Sequence, residues 1–314
     1  MAWHKEGMFY VPDGSRPWAR THASVPTVDV LSDQVWRIYY AARNDRNQCS
    51  ISYIDVEAGN PRRILYEHDQ PILPLGKLGT FDDAGMMPSS IVSHRGVKYL
   101  YYTGWNVRTT VPYHNTIGLA VSHDGGTTFQ RYGEGPVLGL SVHEPYFVGT
   151  ATVMLEGGRW RAWYASCTGW EIIDGQPEPS YHLKYAESGD GIFWQRDGII
   201  AVDYKNPAEG GIVRASVLHE DGRYCMWYAY RHKQGYRDDR TRSYRIGYAE
   251  SDDGVHWHRL DHLAGIDVSE TGWDSEMIEY PCVVSTPHGR HLCYNGNGFG
   301  ASGIGYAAWE STTR

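Results

Sequence analysis

The sequence predicts an all-β fold, a five-bladed β-propeller with four-stranded antiparallel blades, from two repeated patterns and a bias in composition. Asp-Gly turns at Asp124, Asp190 and Asp253 lie 66 and 63 residues apart, each followed by an aromatic residue that opens a new strand. A short apolar strand, a polar turn and an aromatic strand recur five times within the 314 residues. The 12 Trp, 24 Tyr and 36 Gly suit strands and tight turns. Four short strands in each repeat of this length describe a propeller blade.

The five repeats are recognised by their first two strands. These strand pairs are residues 25–28 with 35–40, 89–92 with 99–102, 151–155 with 160–164, 215–218 with 224–228, and 281–284 with 291–294. The fifth repeat is short, so we expect the N-terminal stretch around residues 8–11 to supply its outer strand. That pairing closes the ring and removes two free sheet edges. Because no Pro-, Gly- or Ser-rich linker divides the chain, residues 1–314 are predicted to form a single domain.

Composition narrows the classes of partner. The net charge of -8 and the lack of a basic stripe argue against nucleic acid. The sequence offers no apolar run of the length that a signal peptide or a membrane helix needs, which predicts no membrane partner. The 5 Cys form no Cys-x-x-Cys pair, and they are expected to be reduced and buried in a cytoplasmic protein. No cofactor and no catalytic metal are predicted, although a structural Ca²⁺ in the channel is left open. A monomer or small homo-oligomer is expected.

Strand order in a propeller predicts where its site lies. The first strand of each blade lines the channel and the second returns, so residues before first strands and after second strands meet on one face. The residues before the first strands are His22, then Asp82 and Asp83, then His143 and Glu144, then Glu209 and Arg214, and finally Glu276, Glu279 and Tyr280. The loops after the second strands add Arg43, Trp105, Trp170 and Asn295. Acidic groups at four blade mouths favour glycosidic cleavage, which requires a protonated acid beside an ionised carboxylate.

The repeats, with acids before the inner strands, resemble the five-bladed glycoside hydrolases of families 43, 32, 68 and 130. The resemblance covers nearly the whole chain at the level of architecture. The segment that begins Asp83-Ala-Gly-Met-Met-Pro is similar to the second-blade Asp segment of these enzymes, and Glu144-Pro to their third-blade Glu. The resemblance therefore implies that Glu144 is the general acid and that Asp83 orients the substrate or tunes the acid.

Blade one departs from the family pattern, because His22 lies in the segment where the family has its base or nucleophile Asp. Either Asp82, Glu276 or Glu279 takes that second role, or the chemistry differs. His22 is itself a candidate base, because the unperturbed pKa of histidine lies near 6.5. Family 130 phosphorylases bind phosphate with a basic cluster. The arginines that such a cluster could draw on here are Arg20, Arg43, Arg214 and Arg231.

These observations predict an enzyme that cleaves or transfers a glycosidic bond in a small glycan or glycoconjugate. Its predicted catalytic residues are Asp83, Glu144, Glu279 and His22. Its predicted substrate-binding residues are Asp82, Arg43, Trp105, His143, Trp170, Arg214, Glu276, Tyr280 and Asn295. Two alternatives stay open: a carbohydrate-binding propeller without catalysis, and a propeller enzyme with changed chemistry such as phosphorolysis or cyclisation. The segment 122–129 also resembles the Asp-box turn of sialidases, which we interpret as a structural turn.

Overall fold

A computed structural model describes residues 2–310, and within them the protein is all-β apart from one turn of 3-10 helix at Asp261–Leu263. The first strands in chain order are β1 (Ala2–Tyr10), β2 (Thr21–Val30), β3 (Val35–Arg43), β4 (Cys49–Glu57), β5 (Asn60–Glu67), β6 (Gly85–His94), β7 (Val97–Val107), β8 (Tyr113–Ser122), β9 (Gln130–Arg131) and β10 (Val148–Glu156). The others are β11 (Arg159–Ile173), β12 (Gln176–Ser188), β13 (Trp194–Gln195), β14 (Ile200–Val202), β15 (Glu209–Glu220), β16 (Arg223–His232), β17 (Arg245–Ser251), β18 (His258–Arg259), β19 (Glu279–Thr286), β20 (Gly289–Asn295) and β21 (Ile304–Glu310). None of the described helices has the length and apolarity that crossing a membrane requires.

The strands fall into five consecutive antiparallel groups. Group one is β2–β5, group two β6–β9, group three β10–β14, group four β15–β18, and group five β19–β21 with β1. A parallel pair between Cys49 and Gly85 joins groups one and two, and one between Tyr181 and Gly211 joins groups three and four. The chain therefore builds several sheets from repeated hairpins.

The N-terminal strand completes the last group. It pairs antiparallel with β21 from Ala2 opposite Glu310 to Tyr10 opposite Ile304. Lys5 on this strand also forms a 2.7 Å ion pair with the buried Asp274. The predicted pairing of the N-terminus with the last repeat is confirmed.

The groups pack face to face, so most strands are buried on both sides. In β3, for example, all residues from Trp36 to Ala42 are buried. Hydrophobic clusters lie between neighbouring groups, and one of them joins group five to group one through Tyr306, Cys293, Trp36 and Val28. The first strands also contact one another in the order β2, β6, β10, β15, β19 and back to β2. Burial of both faces explains why these strands are nearly continuous in apolar residues.

The first strand of every group is bulged close to its start. Register shifts occur between Ser24/Thr27, Pro88/Ser90, Gly149/Thr152, Val213/Ser216 and Glu279/Cys282. At four of these bulges a non-glycine residue has a positive φ: Val25, Thr150, Arg214 and Tyr280. A bulge with a left-handed residue is costly, and such strain concentrates at functional sites. Strained backbone is therefore concentrated near the starts of the first strands.

Candidate active site

A cavity of about 80 Å³ lies where groups two to five meet. Uncharged and mostly aromatic or small side chains line it: Met87, Thr103, Tyr113, Asn115, Phe147, Gly149, Thr150, Ala165, Tyr181, Val213, Tyr244 and Tyr280. We call this space the central cavity. It has room for a few water molecules, since one occupies about 30 Å³ in the liquid. Two of the strained residues, Thr150 and Tyr280, are among its walls.

Three of the cavity tyrosines were not predicted from the sequence. Tyr113 opens β8, Tyr181 lies on β12, and Tyr244 directly precedes β17. Each belongs to the third strand of its group, which runs in the same direction as the first strand. The starts of the first and third strands therefore lie on one face, whereas the prediction considered only the first and second strands. Strand order would have drawn attention to the third strands, although Tyr181 lies within β12 rather than at its start.

A buried arginine fixes two of these tyrosines. Nε of Arg231 donates to the hydroxyls of both Tyr181 and Tyr244, at 3.2 Å each. Its other nitrogens donate to the backbone oxygens of Pro179 and His232, both at 2.8 Å, and its guanidinium lies 3.7 Å from the centre of the Tyr236 ring. The two tyrosine hydroxyls also bond to each other. That bond uses one of their two protons, so the second is free for a ligand in the central cavity.

Glu279, at the start of β19, is the buried carboxyl group beside this cavity. It is 1 % exposed, and its Oε2 has no hydrogen-bond partner among the described residues. Burial raises its pKa to about 8, even though the Tyr280 hydroxyl and the charges of Arg231 and Arg43 act in the opposite direction. Removal from water disfavours the charged form more than these groups favour it. Glu279 is therefore protonated at neutral pH.

Arg43 of group one acts on both Glu279 and His22 through its charge. Burial and the charge of Arg43 lower the pKa of His22 to about 4, so this imidazole is neutral at pH 7. Arg43 forms no ion pair among the described residues and donates to Asn47. Of the four predicted catalytic residues, Glu279 and His22 thus share an electrostatic neighbourhood around Arg43.

Glu144 lies in a different environment. Its fully buried carboxylate accepts from Tyr164 and Lys184 at 3.2 Å and from Arg196 at 3.3 Å, and Ser141 donates as well. Burial would raise its pKa, but the hydrogen bonds from Ser141 and Lys184 outweigh that effect and hold the pKa below its usual value. The assignment of Glu144 as general acid stays a prediction, and these contacts favour a structural role.

Asp82, in group two, is a buried carboxylate surrounded by donors, as Glu144 is in group three. It is 1 % exposed, accepts from Nε of Arg131 at 2.8 Å and from the Tyr102 hydroxyl at 3.0 Å, and receives a third bond from Thr80. Its neighbour Asp83 points elsewhere and accepts the Gly79 N–H at 2.8 Å within a surface turn. The two adjacent carboxylates therefore do not form a pair in one site.

The same contact recurs in every group, and we call it the tyrosine–acid–cation motif. A tyrosine in the second strand bonds, directly or through another tyrosine, to an acid that pairs with a basic side chain. The five sets are Tyr40 with Tyr10, Glu67 and Arg16; Tyr102 with Asp82 and Arg131; Tyr164 with Glu144 and Arg196; Tyr228 with Asp261 and Arg259; and Tyr294 with Asp274 and Lys5. The signal was visible in the sequence, because each aromatic strand of the repeat ends in this tyrosine.

Two predicted binding residues hold groups together. Arg214 is buried, and its guanidinium donates to the backbone oxygens of Ser89 and Pro26 and to Thr27, which ties group four to groups one and two. Asn295 accepts the Val25 N–H at 2.8 Å and donates to two backbone oxygens, which ties group five to group one. All polar atoms of the Asn295 amide are thus engaged within the fold.

The remaining predicted residues lie in separate surroundings. Trp170 packs edge-on against the cavity residues Tyr113 and Phe147. Trp105 covers the backbone of Gly85, where an added Cβ would collide with the indole nitrogen. His143 and Glu276 are exposed. Within residues 2–310, no three His, Cys, Asp or Glu side chains cluster as metal ligands.

Comparison with known proteins finds relatives of the whole chain. No family model matches the chain. Two Mycobacterium tuberculosis sequences, the uncharacterized proteins Rv1502 (strain H37Rv) and MT1551 (strain CDC 1551), are each 37% identical over 311 residues, covering 99% of this chain and 100% of theirs.

Solved structures share the fold at low sequence identity. BT0996, solved in an RGII complex, superposes with a TM-score of 0.71 at 16% identity, covering 99% of this chain and 92% of that one. A thermostable family-43 glycoside hydrolase gives 0.69 at 15% identity, over 95% and 93%. The Bombyx mori GH32 β-fructofuranosidase BmSUC1 gives 0.63 at 12% identity, over 97% and 61%. The chain therefore belongs to the family of the two mycobacterial proteins and has the fold of the propeller glycoside hydrolases.

Proposed function

We propose that this protein is a glycosidase-like enzyme for a small glycan or glycoconjugate, with Glu279 as its general acid. The observation that carries the proposal is the buried carboxyl of Glu279, whose Oε2 has no partner among the described residues and whose pKa is raised to about 8. A general acid for glycosidic cleavage needs a raised pKa, so that it holds a proton at neutral pH. The shared fold with glycoside hydrolases supports the reaction class.

We interpret the five groups as five blades around one axis, in line with the cyclic contacts of their first strands. On this interpretation the central cavity lies on the axis, Glu279 directly precedes its wall residue Tyr280, and His22 lies on the adjacent blade. Glu279 gives its proton to the leaving oxygen as the glycosidic bond breaks. Water attacks the anomeric carbon and loses a proton to the neutral His22. In this scheme His22 takes the role that the blade-one carboxylate has in the family.

A panel of 4-nitrophenyl glycosides tests the proposal by release of nitrophenolate. Glu279→Gln keeps the size of the side chain but removes the acidic proton, so kcat should fall by about 10²–10⁴-fold. Glu144→Gln and Asp83→Asn are matched carboxyl-to-amide changes at the positions that the family resemblance implies. We expect them to change the folded fraction or KM rather than kcat. Full kcat in Glu279→Gln, with loss in Glu144→Gln, would overturn the proposal.

Carbohydrate binding without turnover is the second candidate function. The central cavity measures about 80 Å³, whereas ligand pockets usually measure ~300–1,000 Å³, so a whole sugar ring does not fit inside it for cleavage, which favours binding alone. A glycan array read with the purified protein distinguishes the two functions. Binding of a glycan that the protein leaves intact over long incubation supports a binding protein.

We also propose a cytoplasmic location, supported by the five cysteines, all of which are free thiols. Thiols of this kind persist in a reducing compartment. Fractionation of cells that make the tagged protein checks this point.

A further inference from the structure

A groove lies beside the central cavity, between the loop after β16 and two segments of group five. Its volume is about 370 Å³, and its walls are Tyr236, Arg237, Asp238, Asp239, Arg240, Ser243, Glu276, Met277, Gly298 and Phe299. We call it the side groove. We propose that it binds a second, uncharged sugar unit, so that the ligand is an oligosaccharide of at least two units. This inference rests on the proposed function and specifies the substrate class of that site.

The side groove and the central cavity share one wall. Tyr244 lines the cavity, and its ring packs edge-to-face against Tyr236 and Phe299, which line the groove, with centroids at 6.3 and 6.2 Å. On the other side, Met277 lines the groove two residues before Glu279. A ligand that reaches from the groove into the cavity therefore passes Tyr244 close to Glu279.

The volumes of the two spaces indicate how the ligand divides between them. The cavity, at about 80 Å³, admits only a small substituent or part of a ring. The groove, at about 370 Å³, falls within the ~300–1,000 Å³ of ordinary small-molecule sites. Most of the ligand must therefore lie in the groove, which requires a unit beyond the one that reaches the cavity.

The groove lining suits hydroxyl groups rather than a charged ligand. Arg237 is already paired with Glu178, and Asp239 with Arg242. Asp238, Arg240 and Glu276 form no ion pair among the described residues, and they supply both acceptors and donors. Sugar hydroxyls use both kinds of partner. Phe299 adds a half-buried ring at the rim, held in a left-handed conformation with φ 59°.

Binding measurements test this proposal independently of turnover. An array of neutral mono-, di- and trisaccharides is probed with the wild-type protein, Phe299→Ala and Gln234→Ala. Gln234 is an exposed residue of the loop after β16, which forms another wall of the groove, but it lies outside the groove itself and therefore serves as the control. We expect a di- or trisaccharide to bind at least about tenfold more tightly than its component monosaccharides. Phe299→Ala should remove that gain, whereas Gln234→Ala should keep it.

Failure of this inference is separable from failure of the proposed function. Equal binding of mono- and disaccharides, binding unchanged in Phe299→Ala, or no binding across the array would overturn the groove assignment. Loss of nitrophenyl glycoside turnover in Glu279→Gln would still support the enzyme in each of these cases. Tight disaccharide binding without turnover would support the groove and overturn the enzyme.

Discussion

Replacement of Glu279 by glutamine should change how the stability of the protein depends on pH. In the unfolded chain this carboxyl ionises near 4.5, whereas in the folded protein its pKa is about 8. Between these values the folded state holds one proton more than the unfolded state. The free energy of unfolding therefore falls as pH rises, by about 1.4 kcal/mol per pH unit. The loss over the whole interval is on the order of 5 kcal/mol, and above the folded pKa it stops.

Urea unfolding at pH values from about 5 to about 9 measures this effect in wild type and Glu279→Gln. The glutamine variant lacks this titration. As pH rises across the interval, its free energy of unfolding should therefore increase relative to that of wild type. Other titrating groups, including His22, cancel in that difference. Glu144→Gln serves as the control, because the pKa of Glu144 is lowered and its titration lies at acid pH. Parallel pH profiles for wild type and Glu279→Gln would refute the assignment of a raised pKa.

Three further predictions concern the fold. Glu144→Ala leaves Lys184 and Arg196 without their buried partner. Urea unfolding should show a free energy of unfolding lower by about 3–5 kcal/mol. A loss below about 1 kcal/mol would contradict the tyrosine–acid–cation motif. Arg214→Met deprives two buried backbone oxygens of their donor, so the free energy of unfolding should fall by about 2–6 kcal/mol in the same measurement. An unchanged value would mean that this arginine does not tie the groups together. Deletion of Ala2–Tyr10 exposes the edge of β21, so the melting temperature should drop and size-exclusion chromatography should detect aggregates. An unchanged melting curve would argue that β1 does not stabilise the last group.

The repeat could be predicted because it depends on local chemistry. Each Asp-Gly turn needs its glycine, and each aromatic strand needs two buried faces. The structure has the three predicted turns as matching loops, in which Ser122, Ser188 and Ser251 donate to the turn aspartates. The N-terminal strand was also predictable, since an incomplete last repeat requires a partner for its edge.

The site was only partly predictable. Asp82 and Asp83 are adjacent in the sequence and both were predicted to lie in the site, but their side chains have different partners. Glu144 resembled a catalytic acid by its position before a strand, yet the ends of distant strands surround it with donors. The choice between an enclosed ion pair and an unpaired acid depends on contacts between residues about 20 to 50 positions apart.

The sequence by itself determined the strands and their repeat, because turn chemistry, strand period and burial act over a few residues. The tertiary structure decided which carboxyl group stays protonated. The pKa of a group depends on how much water is removed from it and on the charges around it. Packing of the five groups buries Glu279 without an ion-pair partner among the described residues. The same packing gives Asp82 and Glu144 basic partners. It also decided that third-strand tyrosines form the cavity walls, because strand direction becomes a shared face only after the groups assemble.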